Sequence, residues 1–286
     1  MPGNRLILTK PRALLSLMRL PNCIMMGFAV IVGEVIGSPV VPARAAFYGF
    51  LAGFFLLASS MVLNDYFDRE TDAINEPGRP LPAGLIEPSE ALFFAMVLAL
   101  IGFAASASTG TWTLIIAILS MMLTVAYNSK LKKRGLLGNA IVSANVAVPF
   151  IYGGFVVAST NMFPLIIFSL LAFLSSLGRE VVKGIVDVVG DGAKGVMSVA
   201  VTKGSEFAAK QAAFLFLAAV ALSSLPVALR IVSSYYLPLV AICDVGFLLT
   251  SYSIWVNPTA LNARRNKKYV LVWMVFGLLA FVVGTA

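Results

Sequence analysis

The sequence predicts an all-α membrane protein with about nine transmembrane helices, and three observations support this fold class. First, 59% of the 286 residues are hydrophobic and 12% are charged, whereas a soluble domain has about 25% charged residues. Second, apolar windows long enough to cross a membrane, roughly 20 residues each, recur along most of the chain. Third, if the N-terminus and every second loop share one side, that side carries all 21 Lys and Arg except Arg44 and Arg230. Because positive loops face the cytoplasm, we expect a multi-pass cell-membrane protein with that side and its N-terminus cytoplasmic.

Nine apolar windows define the predicted helices. They span residues 17–37, 45–65, 89–107, 111–128, 138–158, 162–186, 206–228, 234–255 and 268–284. The first window is too long for the apolar part of a secretory signal, so we interpret it as the first spanning helix. The long connections at 66–88, 188–205 and 256–267 all fall on the predicted cytoplasmic side, where we therefore expect an active site or a gate. We expect residues 1–286 to form a single transmembrane domain.

The composition excludes several kinds of site. The sequence contains no histidine, which excludes His-based catalysis and His-ligated zinc. Cys23 and Cys243 lie in apolar segments and suggest neither a disulfide framework nor a metal site. The net charge of +8 indicates membrane topology and a local need for anions, and not a nucleic-acid partner, because no soluble basic domain is present.

Two acidic clusters, each following an apolar window, are the strongest functional signal. The first contains Asn64, Asp68 and Asp72, and the second contains Glu180, Lys183, Asp187 and Asp191. Spacings of three and four residues place each cluster along one helix face, about 6 Å per step. Aligned carboxylates repel one another, and acids at the rim of a hydrocarbon layer are costly, so a cation should compensate them. Mg²⁺ prefers oxygen ligands and often shares them with phosphates, so two facing clusters could hold two Mg²⁺ ions and a diphosphate. The alternative is that both are solvated helix ends.

Basic residues near the clusters could complete a diphosphate site. Arg79 lies in a loop stiffened by proline and glycine, Lys132 follows the fourth window, and Lys194 follows the second cluster. Other basic residues are explained by membrane topology alone. These are Lys133, Arg134, Arg264, Arg265, Lys267 and Lys268.

The order of these motifs resembles the UbiA superfamily of intramembrane prenyltransferases over essentially the whole chain. The family's N-D-x-x-D-x-x-x-D motif is matched by Asn64, Asp65, Asp68 and Asp72, and its D-x-x-x-D motif by Asp187 and Asp191. Two further elements are similar: Arg79-Pro80-Leu81-Pro82-Ala83-Gly84, and Tyr127 followed by Leu131-Lys132.

The resemblance implies a nine-helix bundle around a central cavity and a Mg²⁺-dependent prenyltransferase that uses an isoprenyl diphosphate. Asp68, Asp72, Asp187 and Asp191 would be catalytic and, with Asn64, would bind Mg²⁺. Arg79, Lys132, Lys194 and Tyr127 would bind the diphosphate. Ionisation would then give an allylic carbocation that a lipophilic acceptor captures.

The second motif is most similar to the branch of digeranylgeranylglyceryl phosphate synthases. That branch has R-E-x-x-K-D-x-x-D-x-x-G-D, and this chain has Arg179-Glu180 and Lys183 but Gly184 where the branch usually has Asp. The acceptor would then be geranylgeranylglyceryl phosphate, with Arg19, Asn22, Glu180 and Lys183 as expected acceptor-binding residues. An aromatic quinone precursor and a chlorophyllide-like acceptor stay open as alternatives.

A secondary transporter is the alternative from a different class, because intramembrane acids also suit transport. Transport sites lie near the midplane of the bilayer, whereas these acids lie at helix ends beside basic loops. A CDP-alcohol phosphotransferase is rejected, because Asp191-Gly192-Ala193-Lys194 matches its motif only in part.

Overall fold

The computed structural model describes residues 3–193 and 195–285, with their side chains except at residues 3–9 and 75. Within these ranges the chain forms helices and no β-strand. Nine helical segments of the described chain are long and apolar enough to cross a membrane. The predicted all-α transmembrane class is therefore confirmed.

The helices fall into two compact units. The first unit contains the chain up to Ile31 and Pro42–Ser129, and the second contains Val32–Val41 and the chain from Lys130 onward. One helix begins in the first unit and ends in the second. The organisation as a single domain stays a prediction.

The first unit is built around one long helix. Its helices are α1 Gly3–Met18, the first part of α2 Leu20–Gly37, α3 Ala43–Asn75, α4 Pro88–Ala107 and α5 Thr111–Ser129. Small residues let α3 and α4 approach closely, since a Cβ on Gly102 would lie 2.8 Å from the Leu56 side chain. The Ser59 hydroxyl donates a hydrogen bond to the Ala95 carbonyl oxygen across the same contact, at 2.8 Å.

The length of α3 decides where the first acidic cluster lies. Its 33 residues rise by roughly 50 Å, whereas a hydrocarbon core is about 30 Å thick. The helix therefore extends beyond a membrane-spanning segment. Its last turns, which contain Asp68 and Asp72, can lie at the polar rim.

The second unit contains the remaining helices. They are α6 Leu136–Val156, α7 Phe163–Val186, α8 Val188–Ala193, α9 Val199–Lys203, α10 Ser205–Ser223, α11 Leu225–Ala228, α12 Tyr236–Val256 and α13 Ala260–Thr285, preceded by a 3₁₀ turn at Leu131–Lys133. Helix α7 is central, because it packs against α6, α10 and α13. Gly178 on α7 lies against the Phe216 ring on α10, where a Cβ would come within 2.6 Å of the ring.

Several predicted boundaries differ from the structure. The predicted connection at 256–267 is mostly helix, because α13 begins at Ala260 and includes the basic residues that precede its apolar part. The connection at 66–88 begins later, because α3 continues to Asn75. The basic N-terminal segment forms the separate helix α1, which ends before Arg19, a residue with φ of 53°. In the first two cases polar residues extend a helix beyond its predicted apolar window.

Candidate active site

The first acidic cluster lies on the last turns of α3. Asn64, Asp68 and Asp72 belong to one uninterrupted helix, so the predicted stripe with four-residue spacing is formed. Asp72 is buried, with 7% of its surface exposed, and Asp68 is half-buried. A buried carboxylate needs a cationic or hydrogen-bonding partner, which the following loop supplies.

Arg79 lies against the cluster, as the sequence suggested, but its partners are the acids themselves. Its Nη1 donates to Asp72 Oδ2 at 2.6 Å and lies 3.6 Å from Asp65 Oδ1. Burial lowers the pKa of the guanidinium, but the carboxylates of Asp72 and Asp65 outweigh this, and the pKa is raised above its ordinary value. Arg79 therefore stays a cation that can exchange a carboxylate for a phosphate.

The loop that carries Arg79 is fixed by its own packing. Leu81 and Ile86 are buried in the core of the first unit, with 8% and 2% of their surfaces exposed. The Ala83 amide donates to the Arg79 carbonyl oxygen at 2.9 Å, and Gly84 turns the chain with φ of 68°. Glycine adopts this left-handed backbone readily, so the turn after the two prolines is sterically allowed.

Asp65 is the most buried acid of this motif, with 5% of its surface exposed. Arg19, at the junction between α1 and α2, donates from Nη2 to Asp65 Oδ1 at 2.6 Å. Arg19 was expected to bind the acceptor, and the structure places it beside the acidic cluster. Asn22, one turn further along α2, is exposed.

Asn128 contacts the first acidic cluster, although none of the sequence motifs singled it out. Asn64 Nδ2 donates to Asn128 Oδ1 at 2.8 Å, and Asn128 Nδ2 donates to the Thr124 carbonyl oxygen at 3.1 Å. This pairing directs the Asn64 amide nitrogen toward α5, which leaves Asn64 Oδ1 as the atom suited to a cation. Asn128 could have been suspected from the sequence, because it follows Tyr127 directly at the polar end of an apolar helix.

The second acidic cluster follows α7 in the second unit. The expected continuous stripe is interrupted, because α7 ends at Val186 and the six-residue helix α8 begins at Val188. Asp187 between them has φ of −99° and ψ of 8°, yet the Asp191 amide still donates to the Asp187 carbonyl oxygen at 2.7 Å. Asp187 is exposed and Asp191 is half-buried, so this cluster is more open to solvent than the first.

Glu180 forms the centre of a separate cluster about two helical turns before Asp187. It is buried, with 7% of its surface exposed, and Arg179 Nη1 donates to its Oε1 at 3.0 Å. Lys183 Nζ donates to its Oε2 at 3.3 Å, and the Lys183 side chain is 46% exposed. Arg179 Nε is buried without a hydrogen-bond partner. Two cations around one carboxylate leave a net positive charge and a free donor, which suit an anionic ligand.

The expected diphosphate ligands other than Arg79 are distributed over both units. Tyr127 lies in the last turn of α5, and Lys132 lies in the 3₁₀ turn that follows. Within the second unit, this turn contacts the segment after the second cluster, because the Met197 amide donates to the Lys133 carbonyl oxygen at 3.0 Å. Lys194 was also expected to bind the diphosphate, but it lies outside the described residues.

The donor types of the two clusters fit a hard cation. Carboxylate and amide oxygens are the ligands that Mg²⁺ prefers. Among the residues that the structure describes, no three acidic or cysteine side chains converge as a ready-made metal site. In the first cluster Arg79 Nη1 lies 2.6 Å from Asp72 Oδ2, an oxygen of one of the expected metal ligands.

The chain is similar to known proteins over nearly its whole length. The model of the UbiA prenyltransferase family matches residues 24–284. Digeranylgeranylglyceryl phosphate synthase from Methanocaldococcus jannaschii is 36% identical over 276 residues, with 96% of each chain covered.

Two solved structures share the fold. One, from work on digeranylgeranylglyceryl phosphate synthase in membranes, has a TM-score of 0.83 at 36% identity and covers 97% of this chain and 99% of its own. Another, a UbiA homologue from Archaeoglobus fulgidus bound to GPP and Mg²⁺, has a TM-score of 0.67 at 17% identity, with 95% and 100% covered. At that identity the second likeness supports the fold alone. The family match, the close relative and the two Asp motifs agree: this chain is a membrane-embedded enzyme that belongs to the UbiA prenyltransferase family.

Proposed function

We propose that this prenyltransferase transfers a geranylgeranyl group from its diphosphate to geranylgeranylglyceryl phosphate, in the synthesis of ether lipids. The observation that carries this choice of acceptor is the Arg179–Glu180–Lys183 cluster, which provides excess positive charge apart from the acidic motifs. A phosphate monoester carries about −1.5 to −2 charges at pH 7, so it needs such a site more than an aromatic acid, whose carboxylate carries one. The relative from Methanocaldococcus jannaschii, which has that synthase activity by name, supports the same reading.

The two acidic motifs would hold the metal and the leaving group. In this proposal Asn64, Asp68, Asp72, Asp187 and Asp191 bind Mg²⁺. When bound, Mg²⁺ neutralises the diphosphate and makes it a better leaving group. The oxygen donors of these side chains support the assignment.

Basic side chains would bind the diphosphate oxygens. Arg79, Lys132, Lys194 and Tyr127 take this role in the proposal. Arg79 would move its Nη1 from Asp72 to a phosphate oxygen when a metal takes the Asp72 carboxylate. A guanidinium suits this exchange, because its planar fork binds carboxylate and phosphate with similar geometry.

The acceptor would be bound through its phosphate and would attack through a hydroxyl oxygen. Lys183 and the free Nε of Arg179 would donate to the phosphate, with Glu180 keeping both cations in position. Asn22 and Arg19 would contact the acceptor from the start of α2. Arg19 donates one of its five N–H groups to Asp65, so its other N–H groups would be available to the acceptor. The hydroxyl oxygen would form the new ether bond to the allylic carbon, whose bond to the diphosphate oxygen breaks. The hydroxyl proton would pass to the released diphosphate.

We also infer that both motifs face the cytoplasm. The side of the chain that bears them carries nearly all of the Lys and Arg, and positive loops remain cytoplasmic. Diphosphate would then be released into the cytoplasm.

An acceptor panel tests the proposal. Purified protein is incubated with geranylgeranyl diphosphate, Mg²⁺ and one acceptor at a time: geranylgeranylglyceryl phosphate, its dephosphorylated alcohol, or an aromatic acid. We expect diphosphate release and ether product with the phosphate-bearing acceptor, and slower reaction with the alcohol. Prenylation of the aromatic acid alone would contradict the choice of acceptor. Substrate flux in vesicles without diphosphate release would indicate a transporter.

A further inference from the structure

Asp65 has two arginine partners on one oxygen. Arg19 Nη2 lies 2.6 Å and Arg79 Nη1 lies 3.6 Å from Asp65 Oδ1. The carboxylate is buried, with 5% of the residue exposed. A metal at this oxygen would meet the repulsion of two guanidinium groups, and displacing either of them would leave buried charge without its partner.

Arg79 also links Asp65 to Asp72. The two acids are seven residues apart on α3, about two helical turns, and therefore lie on nearly the same side of the helix. Arg79 Nη1 is 2.6 Å from Asp72 Oδ2 and 3.6 Å from Asp65 Oδ1, so one nitrogen is shared between them. The two acids thus compete for one cation.

We propose that Asp65 is a positioning residue that holds Arg19 and Arg79 beside the metal ligands and does not itself bind the metal. The inference rests on the proposed function, in which Asp72 binds Mg²⁺. By attracting Arg79, Asp65 lowers the strength of the Arg79–Asp72 pair and makes the Asp72 carboxylate easier for a metal to take. When Asp72 binds the metal, Asp65 keeps Arg79 at the site, where its N–H groups can donate to the diphosphate.

A double-mutant cycle on metal affinity separates positioning from direct ligation. Mn²⁺ binding to the purified full chain is measured by electron paramagnetic resonance for wild type, Asp65→Asn, Arg79→Gln and the double variant. Asp65→Asn should weaken Mn²⁺ binding by roughly tenfold in the wild-type background, because Arg79 then pairs with Asp72 alone. In the Arg79→Gln background the same change should alter affinity by less than about twofold, because no shared cation remains.

Two results would overturn the inference. Equal weakening by Asp65→Asn in both backgrounds would mean that Asp65 binds the metal directly, and no weakening in either would mean that it does not affect the site. Glu70→Gln is the matched control for loss of an acid from α3, since the Glu70 side chain is 88% exposed. If Asp65→Asn does not fold, Asp65→Glu replaces it in the cycle, because it keeps the charge but displaces the carboxylate by one methylene.

The Asp72→Asn variant distinguishes failure of this inference from failure of the proposed function. Asp72→Asn should lose most of its Mn²⁺ affinity. If Asp72→Asn binds Mn²⁺ like wild type, the metal-site assignment fails and the inference about Asp65 fails with it. If Asp72→Asn loses affinity but the Asp65 cycle is additive, only the inference about Asp65 fails.

Discussion

Asp72 and Glu180 show how cationic side chains neutralise buried acids in this molecule. Asp72 pairs with Arg79 at 2.6 Å. Glu180 pairs with Arg179 at 3.0 Å and with Lys183 at 3.3 Å. The Glu180 cluster could be predicted, because its members are one and three residues apart on one helix. The pairing of Arg19 with Asp65 could not, because the two are 46 residues apart and only tertiary packing brings them together.

Replacing Lys183 should affect the acceptor and spare the diphosphate. Lys183→Ala removes one cation from the Glu180 cluster, and a charge-assisted hydrogen bond to phosphate is worth about 1.5–3 kcal/mol. We expect KM for geranylgeranylglyceryl phosphate to rise roughly tenfold or more, with KM for the diphosphate unchanged, in steady-state kinetics. Lys210→Ala, at an exposed lysine on α10, is the control. A change confined to the KM of the diphosphate would assign Lys183 to the diphosphate site.

Asn128 should matter through the orientation of Asn64. Asn128→Ala removes the acceptor of the Asn64 Nδ2 hydrogen bond, so the amide is free to turn its oxygen away from the metal. Loss of a residue that orients a metal ligand typically costs about 10–100-fold. The Mg²⁺ concentration for half-maximal activity should rise accordingly, and Asn128→Asp, which keeps the acceptor, should restore most of the affinity. Equal Mg²⁺ dependence of Asn128→Ala and wild type would show that Asn64 needs no such support.

At the scale of helices, each apolar window located a membrane-spanning helix, but several helices continue into polar residues beyond their windows. The window at 45–65 predicted the apolar part of α3, but the helix continues through charged residues to Asn75. Likewise α13 begins at Ala260, before the basic residues that the sequence suggested were a loop. Hydropathy reports contact with lipid, and these helix ends are determined by backbone hydrogen bonds and capping instead. The break at Asp187 was missed for another reason, since residue spacing predicts the same stripe whether or not one residue interrupts the helix.

The contact between α7 and α10 should tolerate no side chain at Gly178. A Cβ there would lie 2.6 Å from the Phe216 ring, so Gly178→Ala must displace a ring that is fully buried. Overpacking of this kind costs about 1–3 kcal/mol, which exceeds the roughly 1 kcal/mol that alanine gains in a helix. Thermal unfolding of the purified protein should show a lower Tm, and the additional change Phe216→Leu should recover part of it.

Gly184→Ala is the stability control on the same helix. A Cβ at Gly184 would meet Ser198 Cβ at 3.5 Å, an ordinary contact, so its Tm should stay near wild type. A fall in Tm of equal size for both variants would mean that the ring contact at Gly178 is not what limits the packing.

For the whole molecule, charge asymmetry predicts the orientation in the membrane. The helix count and the loop charges agree only if the connections at 66–88 and 188–205 share one side. The sequence also predicted the family, because both Asp motifs occur in the expected order. The division into two compact units has no linker to signal it, because its boundaries fall within the apolar helix α2, just before α3 and at the end of α5.

Labelling of introduced cysteines tests this orientation. Val40→Cys and Gly78→Cys are made in a chain whose Cys23 and Cys243 are replaced by Ala, because both targets are exposed in loops. A maleimide that does not cross membranes should label position 40 in intact cells, and position 78 only after the cells are permeabilised. The reverse pattern would place both acidic motifs outside the cytoplasm.

The central claim is that acids from both motifs act in metal-dependent prenyl transfer, and the turnover of Asp68→Ala and Asp191→Ala tests it most directly. Diphosphate release from geranylgeranyl diphosphate is measured with Mg²⁺ and geranylgeranylglyceryl phosphate, alongside Tm and the control Glu70→Ala. Because electrostatic stabilisation of the leaving group is lost, we expect kcat to fall by at least about a hundredfold in each variant, with Tm close to wild type. Turnover near the wild-type rate in both variants would contradict the assignment of these motifs as the active site.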